Sequence, residues 1–282
     1  MPLVNLNTIL NKAKQEKYAV GAFNIFNIED ITAVLEAAEE IKSPVILMTN
    51  GLALQHSSME DLAAIIRRRA QSAEIPVCLH LDHAINYEII IKAMNLGYTS
   101  VMFDGSLLPY EENVNKTKEI VKVAHVLGVS VEAEIGVVGK SEDGEEEYNM
   151  VLSVPEEVAQ FIEDTGIDAC AVSIGTVHAM QKQEMKINFP LLNKIQKLTD
   201  IPLVLHGSSG AMEDDLKKLG PAGIQKVNVG TRLRRVFTDE LRARLLQRPD
   251  LHCQIQLYEY CIEAVKNEVI HKMALFGCAG KN

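Results

Sequence analysis

Two histidines and an aspartate lie within six residues of one apolar segment. The sequence LHLDHA, residues 79–84, carries His80, Asp82 and His83 where a β-strand is expected to end. Imidazole nitrogens bind transition metals, and a neighbouring carboxylate can transfer protons during metal-assisted chemistry. The segment therefore predicts a metal ligand at His83 and an acid or base at Asp82. His80 shares a strand face with Asp82, and we expect these two side chains to hydrogen-bond.

Two further histidines, His178 and His206, occupy comparable positions at the ends of later strands. Three imidazoles that meet at one point, with a fourth position open, form the ligand set of a catalytic zinc site. Asp104 and Glu134 end two other predicted strands. They could bind a second cation or orient the histidines by hydrogen bonding, and the sequence leaves both roles open.

Such residues can act together only in a fold that brings strand ends to one place. Eight β-rich segments alternate with segments of helical periodicity, which is typical of a (β/α)8 TIM barrel in the α/β class. An open doubly wound sheet is disfavoured because no G-x-G-x-x-G follows the first strand. We predict a single domain over residues 1–282, with strands at 18–25, 44–50, 76–83, 100–105, 129–136, 169–176, 202–207 and 226–231.

Several helix boundaries are also marked in the sequence. Ser58 precedes one helical segment, Pro155 opens another, and residues 251–277 are predicted to be helical.

Polar residues concentrate at the carboxyl ends of these strands, whereas the amino-terminal halves are apolar. In a barrel the carboxyl ends converge on one mouth, where active sites are built. The residues that end the strands are Asn24, Asn50, Asp82 with His83, Asp104, Glu134, His178, His206 and Asn228.

Two segments rich in small residues are suited to binding an anion. HGSSG (206–210) includes Gly207, Ser208 and Ser209, and NVGT (228–231) includes Asn228, Val229, Gly230 and Thr231. Loops after the seventh and eighth strands of this fold commonly bind phosphate, helped by a helix N-terminus. The loop 137–150 contains five acidic residues and could close over a substrate, although most of these acids are expected to be solvated.

Composition and charge narrow the class of protein. The chain has 282 residues, of which 47% are hydrophobic and 23% charged, with a formal net charge of −10. The negative charge argues against nucleic-acid binding, and no apolar run is long enough to span a membrane. Five cysteines without a C-x-x-C pair fit a reducing compartment, and we predict a cytoplasmic protein.

The motifs LHLDH, MFDGS, VEAEIG, AVSIGTVH, LVLHGSSG and KVNVGT occur in an order that resembles the zinc-dependent class II ketose-bisphosphate aldolases. The resemblance covers essentially the whole chain. It implies a lyase that reversibly cleaves a phosphorylated ketose to dihydroxyacetone phosphate and an aldehyde through a zinc-stabilised enediolate. It also implies a homodimer or homotetramer.

The resemblance implies particular roles. His83, His178 and His206 would bind Zn²⁺, Asp104 and Glu134 would support them or bind an alternative metal, and Asp82 would be the acid/base. Glu142 would lie on the lid and abstract a proton from the substrate. HGSSG and NVGT would hold a sugar phosphate, with a monovalent cation close by.

Four features depart from the family pattern, all at positions that hold substrate. Ala179 replaces a glycine whose backbone approaches the phosphate, Gln181 stands where an aromatic residue is common, and Asn50 replaces a serine or threonine. The segment HCQIQLYEY contains no arginine where the family has one for the distal phosphate. Arg232, Arg234 or Arg235 could substitute, or could be helix-surface charges.

Two other functions remain to be weighed. A zinc hydrolase on the same barrel usually has H-x-H at the first strand and a carboxylate at the eighth, whereas this chain has Asn24 and Asn228. A non-catalytic protein that binds a sugar phosphate would share the metal site but would not exchange protons with dihydroxyacetone phosphate.

Overall fold

Eight parallel strands form a closed barrel in the computed structural model, which describes residues 3–140, 150–180 and 182–282. The fold class predicted from the alternating pattern is thereby confirmed. The strands are β1 Val20–Asn24, β2 Val45–Thr49, β3 Val77–Ala84, β4 Ser100–Phe103, β5 Ser130–Ile135, β6 Gly139–Lys140, β7 Ala169–Val172, β8 Val177–His178, β9 Leu203–Leu205 and β10 Ile224–Val229.

The barrel closes where the first strand pairs with the last. The order around it is β1-β10-β9-β7-β5-β4-β3-β2, and Val20 of β1 lies opposite Lys226 of β10. Almost every residue of these strands is buried, as expected when helices cover the outside of a parallel sheet and side chains fill the inside. Two short strands, β6 and β8, pair outside the barrel.

Helices alternate with the strands and carry the start signals present in the sequence. The Ser58 side chain accepts a hydrogen bond from the backbone N–H of Asp61, and Pro155 is the first residue of its helix. The helices are α1 Leu6–Glu16, α2 Ile28–Glu40, α3 Gly51–His56, α4 Met59–Ser72, α5 Tyr87–Asn95, α6 Tyr110–Val126, α7 Pro155–Thr165, α8 Phe189–Leu198, α9 Glu213–Leu216, α10 Thr231–Gln247 and α11 Gln254–Phe276, with a 3₁₀ turn at Ser208–Gly210.

A β-bulge interrupts β3 at the residues of chemical interest. Leu81 lies opposite Val101, whereas Ala84 lies opposite Phe103, so β3 has one extra residue between these pairs. His83 takes up the extra length with a left-handed backbone, φ 51°. In a regular strand, Asp82 and His83 would point to opposite faces. The bulge removes this alternation and allows both side chains to reach the barrel mouth.

Within the described residues, no helix has both the length and the apolar character needed to cross a bilayer.

Candidate active site

Three histidine rings lie together at the carboxyl ends of the strands. The ring centroids of His83 and His206 are 4.6 Å apart, those of His83 and His178 are 5.0 Å apart, and those of His178 and His206 are 5.5 Å apart. One nitrogen from each ring lies within 4.8 Å of the others, so the group could hold a metal ion. The barrel thus brings together three residues that lie on different segments of the chain, with His83 and His206 at the two ends of the range.

Carboxylates hold two of these rings in defined orientations. The Nδ1 atom of His83 lies 2.7 Å from Asp104 Oδ2, which leaves Nε2 for another partner. The Nε2 atom of His206 lies 3.1 Å from Glu132 Oε1, whereas its buried Nδ1 has no hydrogen-bond partner among the residues that the structure describes. A histidine that ligates a metal characteristically uses its other nitrogen to contact a carboxylate or carbonyl. The arrangement therefore fits a metal ion facing His83 Nε2 and His206 Nδ1.

Asp104 and Glu134 form a second possible cation group together with His83. Within the described part of the chain, the buried Oε2 atom of Glu134 has no hydrogen-bond partner and lies 3.4 Å from His206 Nδ1. Burial and the neighbouring Asp104 charge raise the pKa of Glu134 to about 8. A bound cation would favour the ionised carboxylate. Asp104 orients His83, and the same two carboxylates could also contact a cation.

The electrostatic environment gives the three histidines different pKa values. Burial lowers the pKa of His83, but the charge of Asp82 and the hydrogen bond with Asp104 outweigh this effect and raise it to about 10. Burial and the nearby His83 lower the pKa of His178 to about 4, and the same two causes place the pKa of His206 well below its ordinary value. Without a metal, the cluster therefore carries its proton on His83.

Two asparagines fix the carboxylate of Asp82. Asn24 Nδ2 donates to Asp82 Oδ2 at 2.9 Å, and Asn228 Nδ2 donates to Asp82 Oδ1 at 3.1 Å. Burial raises the pKa of Asp82, but the charges of His83 and Lys226 outweigh burial and hold that pKa below its usual value. Asp82 is thus an ionised, oriented acceptor whose Oδ1 lies 3.9 Å from His83 Nε2.

The expected hydrogen bond between His80 and Asp82 is wrong. The Nδ1 atom of His80 instead lies 2.7 Å from Ser100 Oγ, and its Nε2 lies 3.8 Å from Glu132 Oε2. The physical reason is that the two asparagine amides occupy both oxygens of Asp82, and His80 lies two residues deeper in the barrel.

Sequence reasoning missed two charged residues below the histidines. Lys226 and Glu132 are fully buried and form an ion pair of 2.9 Å, so the amino-terminal halves of the strands are not uniformly apolar. A signal was present in the spacing. Glu132 precedes Glu134 by two residues and Lys226 precedes Asn228 by two, which places each on the same strand face as a predicted site residue.

The HGSSG segment packs tightly beside His178. Gly207 has a left-handed backbone, φ 68°, and a Cβ there would lie 2.7 Å from the backbone of Val177, so only glycine is tolerated. The hydroxyl of buried Ser208 donates to the backbone carbonyl of Asn228, which ties this segment to NVGT. Ser209 is half-buried.

The NVGT segment joins β10 to α10 against the first strand. Val229 is buried, and Gly230 and Thr231 are half-buried at the start of α10. A Cβ at Gly230 would lie 2.6 Å from Asn24 Oδ1, so a side chain there would displace the asparagine that holds Asp82. Asn50, at the end of β2, caps α3 by accepting a hydrogen bond from the backbone N–H of Ala53 at 3.1 Å.

The acidic loop leaves the barrel beside His178. Lys140 pairs in register with His178, and backbone hydrogen bonds of 2.8 and 2.9 Å join Val137 to Val151 at the loop's base. Glu142 and Gln181 lie outside the described residues. Ala179 follows His178 with a left-handed backbone, φ 60°, a conformation that glycine adopts without strain.

The three arginines considered for a distal anion differ in their surroundings. Arg232 is ion-paired with Glu268 at 2.9 Å. The Arg234 guanidinium lies 5.5 Å from the centre of the Phe26 ring, just beyond β1, and donates to Thr231 Oγ1 at 3.3 Å. Arg235 is half-buried on the same helix. The Arg234 side chain thus contacts the NVGT segment through Thr231.

A closed parallel barrel with histidines and carboxylates at the carboxyl ends of its strands defines the class of metal-assisted barrel enzymes. Residues 4–281 match the family model "Fructose-bisphosphate aldolase class-II", and the chain belongs to this family. It is therefore a lyase of the class II aldolase type, as the motif resemblance predicted.

Named relatives differ in substrate. The chain is 40% identical to a fructose-bisphosphate aldolase of Geobacillus stearothermophilus over 284 residues, covering 100% of this chain and 99% of the relative. It is 37% identical to a sulfofructosephosphate aldolase of Alkalicoccus urumqiensis, with 100% and 99% covered. The crystal structure of the YdjI aldolase from Escherichia coli K12 superposes with a TM-score of 0.88 at 34% identity, covering 99% of both chains. Family membership thus leaves the substrate open.

Proposed function

We propose that this protein is a zinc-dependent aldolase that reversibly cleaves a phosphorylated ketose to dihydroxyacetone phosphate and an aldehyde. The observation that carries the proposal is the cluster of His83, His178 and His206 beside the oriented carboxylate of Asp82. Bound zinc would supply positive charge against the negative charge that develops on the substrate oxygens as the carbon–carbon bond breaks. Asp104 and Glu134 support the ligands or accept an alternative metal.

Asp82 is the proposed acid/base. It is ionised and fixed by two amide donors, so it can accept the proton of the ketose C4 hydroxyl and return it to the aldehyde oxygen in the reverse direction. Asn24 and Asn228 hold this carboxylate, a positioning role in addition to any contact with substrate.

Glu142 is the proposed proton-transfer group at the carbon of the triose unit. The support comes from the motif resemblance and from the loop stem, because Lys140, two residues earlier, pairs with His178. The described stem of the loop thus ends beside His178, and this position supports the assignment of Glu142.

The phosphate of the triose unit is proposed to lie between HGSSG and NVGT, with Asn50 and Ala179 at the same rim. The hydrogen bond between Ser208 and the Asn228 carbonyl joins the two segments, and α10 begins at Thr231, where free backbone N–H groups favour an anion. A monovalent cation close to this phosphate belongs to the same proposal.

We further propose that residues 1–282 act as one domain in a cytoplasmic homodimer or homotetramer. All five cysteines are free, which supports a reducing compartment. Light scattering at micromolar concentration tests the assembly, and a monomer would contradict it.

Asp82→Ala separates the proposed proton-transfer roles. This variant should bind zinc with the stoichiometry of the parent protein and lose cleavage by at least about 100-fold, since no group remains to accept the C4 hydroxyl proton. It should still exchange a carbon-bound proton of dihydroxyacetone phosphate in deuterated water, as followed by proton NMR.

Glu142→Gln is the matched variant and should lose that exchange while retaining the metal. If the metal-replete parent exchanged no proton with dihydroxyacetone phosphate, the non-catalytic alternative would replace this proposal.

A further inference from the structure

A buried ion pair lies directly beneath the candidate site. It contacts Asn228, which holds Asp82, and His206, a candidate metal ligand. Lys226 Nζ lies 2.9 Å from Glu132 Oε2, and both side chains have no exposed surface. Removing two charges from water is costly, and a pair of apolar residues of similar volume is often at least as stable. Stability alone therefore does not account for an ion pair at this position.

The ammonium group of Lys226 determines how Asn228 is oriented. Lys226 Nζ donates to Asn228 Oδ1 at 2.7 Å. An ammonium group can only donate, so the carbonyl side of the amide must face Lys226. The NH₂ side then necessarily faces Asp82 Oδ1, at 3.1 Å. Without Lys226, the amide could turn and direct its oxygen towards the carboxylate.

The same ion pair determines which nitrogen of His206 is free. Glu132 is paired with Lys226 and accepts from His206 Nε2 at 3.1 Å. A carboxylate can only accept, so Nε2 must carry the hydrogen and Nδ1 must carry the lone pair. That buried Nδ1 atom is the one that lacks a hydrogen-bond partner in the described residues.

We propose that Lys226 and Glu132 are positioning residues that impose the direction of two hydrogen-bond chains. One chain runs from Lys226 through Asn228 to Asp82, and the other runs from Lys226 through Glu132 to His206. The first presents Asp82 as an oriented acceptor, and the second presents His206 Nδ1 to a metal. The catalytic consequence rests on the proposed function, whereas the orientation of His206 and Asn228 does not.

The first test replaces the pair by uncharged residues, Lys226→Met with Glu132→Gln. Because Asn228 loses the donor that orients it, kcat for ketose cleavage should fall about 10- to 100-fold while KM changes less than about threefold. Thermal unfolding of the metal-free variant checks that the barrel is intact. An intact variant with the kcat of the parent would overturn the proposal.

A double-mutant cycle distinguishes positioning from a general structural effect. In an Asn228→Ala background the same two changes should reduce kcat by no more than about twofold. The residue through which Lys226 acts on Asp82 is already absent, and Glu132→Gln keeps an amide oxygen that can accept from His206 Nε2. If the fold-losses in kcat from Asn228→Ala and from the two charge-removing changes multiplied, Lys226 would not act through Asn228. If the Met variant fails to fold, Lys226→Gln with Glu132→Gln preserves polar groups at both positions. Because a glutamine amide can donate or accept and no longer fixes the direction of the Asn228 amide, kcat should still fall at least about fivefold.

Metal binding tests the second hydrogen-bond chain, from Lys226 through Glu132 to His206, without reference to catalysis. Lys226→Met with Glu132→Leu removes the acceptor from His206 Nε2 and should weaken Co²⁺ binding about 10- to 100-fold, as followed by the visible absorption of bound cobalt. Ser100→Ala is the matched control, since it removes the hydrogen-bond partner of His80 in the same buried layer. Equal Co²⁺ affinity in both variants would overturn this half of the proposal.

A crystal structure of the Lys226→Met, Glu132→Gln variant tests the first hydrogen-bond chain, from Lys226 through Asn228 to Asp82, even if the parent enzyme cleaves no ketose. Asn228 should leave hydrogen-bonding distance of Asp82. An Asn228 side chain that keeps its position and contact would contradict the inference, whatever the outcome for the proposed reaction.

Discussion

Ala179 is the clearest single residue at which this chain departs from the family pattern. Its left-handed backbone, φ 60°, is held beside His178 although alanine disfavours that conformation. The chain therefore keeps the backbone geometry of the replaced glycine and adds a methyl group at the rim of the proposed phosphate site.

Replacing Ala179 with glycine should stabilise the metal-free protein. Relief of the left-handed strain is expected to raise the free energy of unfolding by about 0.5–1 kcal/mol, as measured by urea denaturation. Ala211→Gly is the control, since Ala211 is buried with an ordinary φ of −77° and should lose stability by a similar amount. A loss of stability in both variants would contradict the strain at Ala179.

Arg234 is the residue we expect to contact the distal charged group of the substrate. Arg234→Ala should raise KM for a ketose bisphosphate about 10- to 100-fold, with a smaller effect on the corresponding monophosphate, because a charge-assisted contact is lost. Arg242→Ala is the matched control, since Arg242 lies further along α10 and is paired with Asp239 at 2.8 Å. Steady-state kinetics would refute the assignment if the two variants behaved alike.

At the scale of elements, the bulge in β3 determines how the site is built. The sequence predicts a strand that ends at LHLDH, and this strand is present. It does not predict the register shift between Leu81 and Ala84, because a bulge depends on pairing with β4 and not on the composition of β3. The sequence alone therefore could not predict that Asp82 and His83 both reach the barrel mouth.

The start of α2 contains a buried carboxylate that should make stability depend on pH. Asp30 accepts a hydrogen bond from the backbone N–H of Phe26 at 3.0 Å. The ring of Phe26 is the one that the Arg234 guanidinium faces. Burial raises the pKa of Asp30 to about 6, against the partial opposing effect of that hydrogen bond. Since the folded pKa is raised, the stabilising contribution of Asp30 is complete at low pH and is lost as pH rises through about 6.

Asp30→Asn removes this dependence. Relative to the parent protein, the free energy of unfolding of the variant should increase by about 2–3 kcal/mol between pH 4 and pH 8, as measured by urea denaturation at each pH. A constant difference between the two proteins over this range would contradict a raised pKa at Asp30.

At the scale of the whole molecule, the barrel could be predicted, whereas the contacts within its buried polar layer could not. Alternating apolar strands and helix-start residues such as Ser58 and Pro155 are local signals, and closure places the strand ends together. Glu132 of β5 contacts Lys226 of β10 and His206 just after β9, and Asn228 of β10 contacts Asp82 of β3, so which of these side chains meet depends on register. The same dependence explains why His80 contacts Ser100 and not Asp82.

Under the proposed function, the residues assigned to the metal and to acid/base chemistry match the family resemblance, whereas several residues assigned to the substrate depart from it. Zinc-dependent cleavage is therefore the central claim, and the identity of the ketose is secondary to it. The most direct test measures dihydroxyacetone phosphate released from a panel of ketose mono- and bisphosphates by zinc-loaded protein, by protein stripped with a chelator, and by stripped protein reloaded with zinc. We predict release from at least one ketose phosphate, loss of release on chelation and recovery on reloading. No triose phosphate from any ketose phosphate with the zinc-loaded protein, or equal release after complete removal of the metal, would contradict the account.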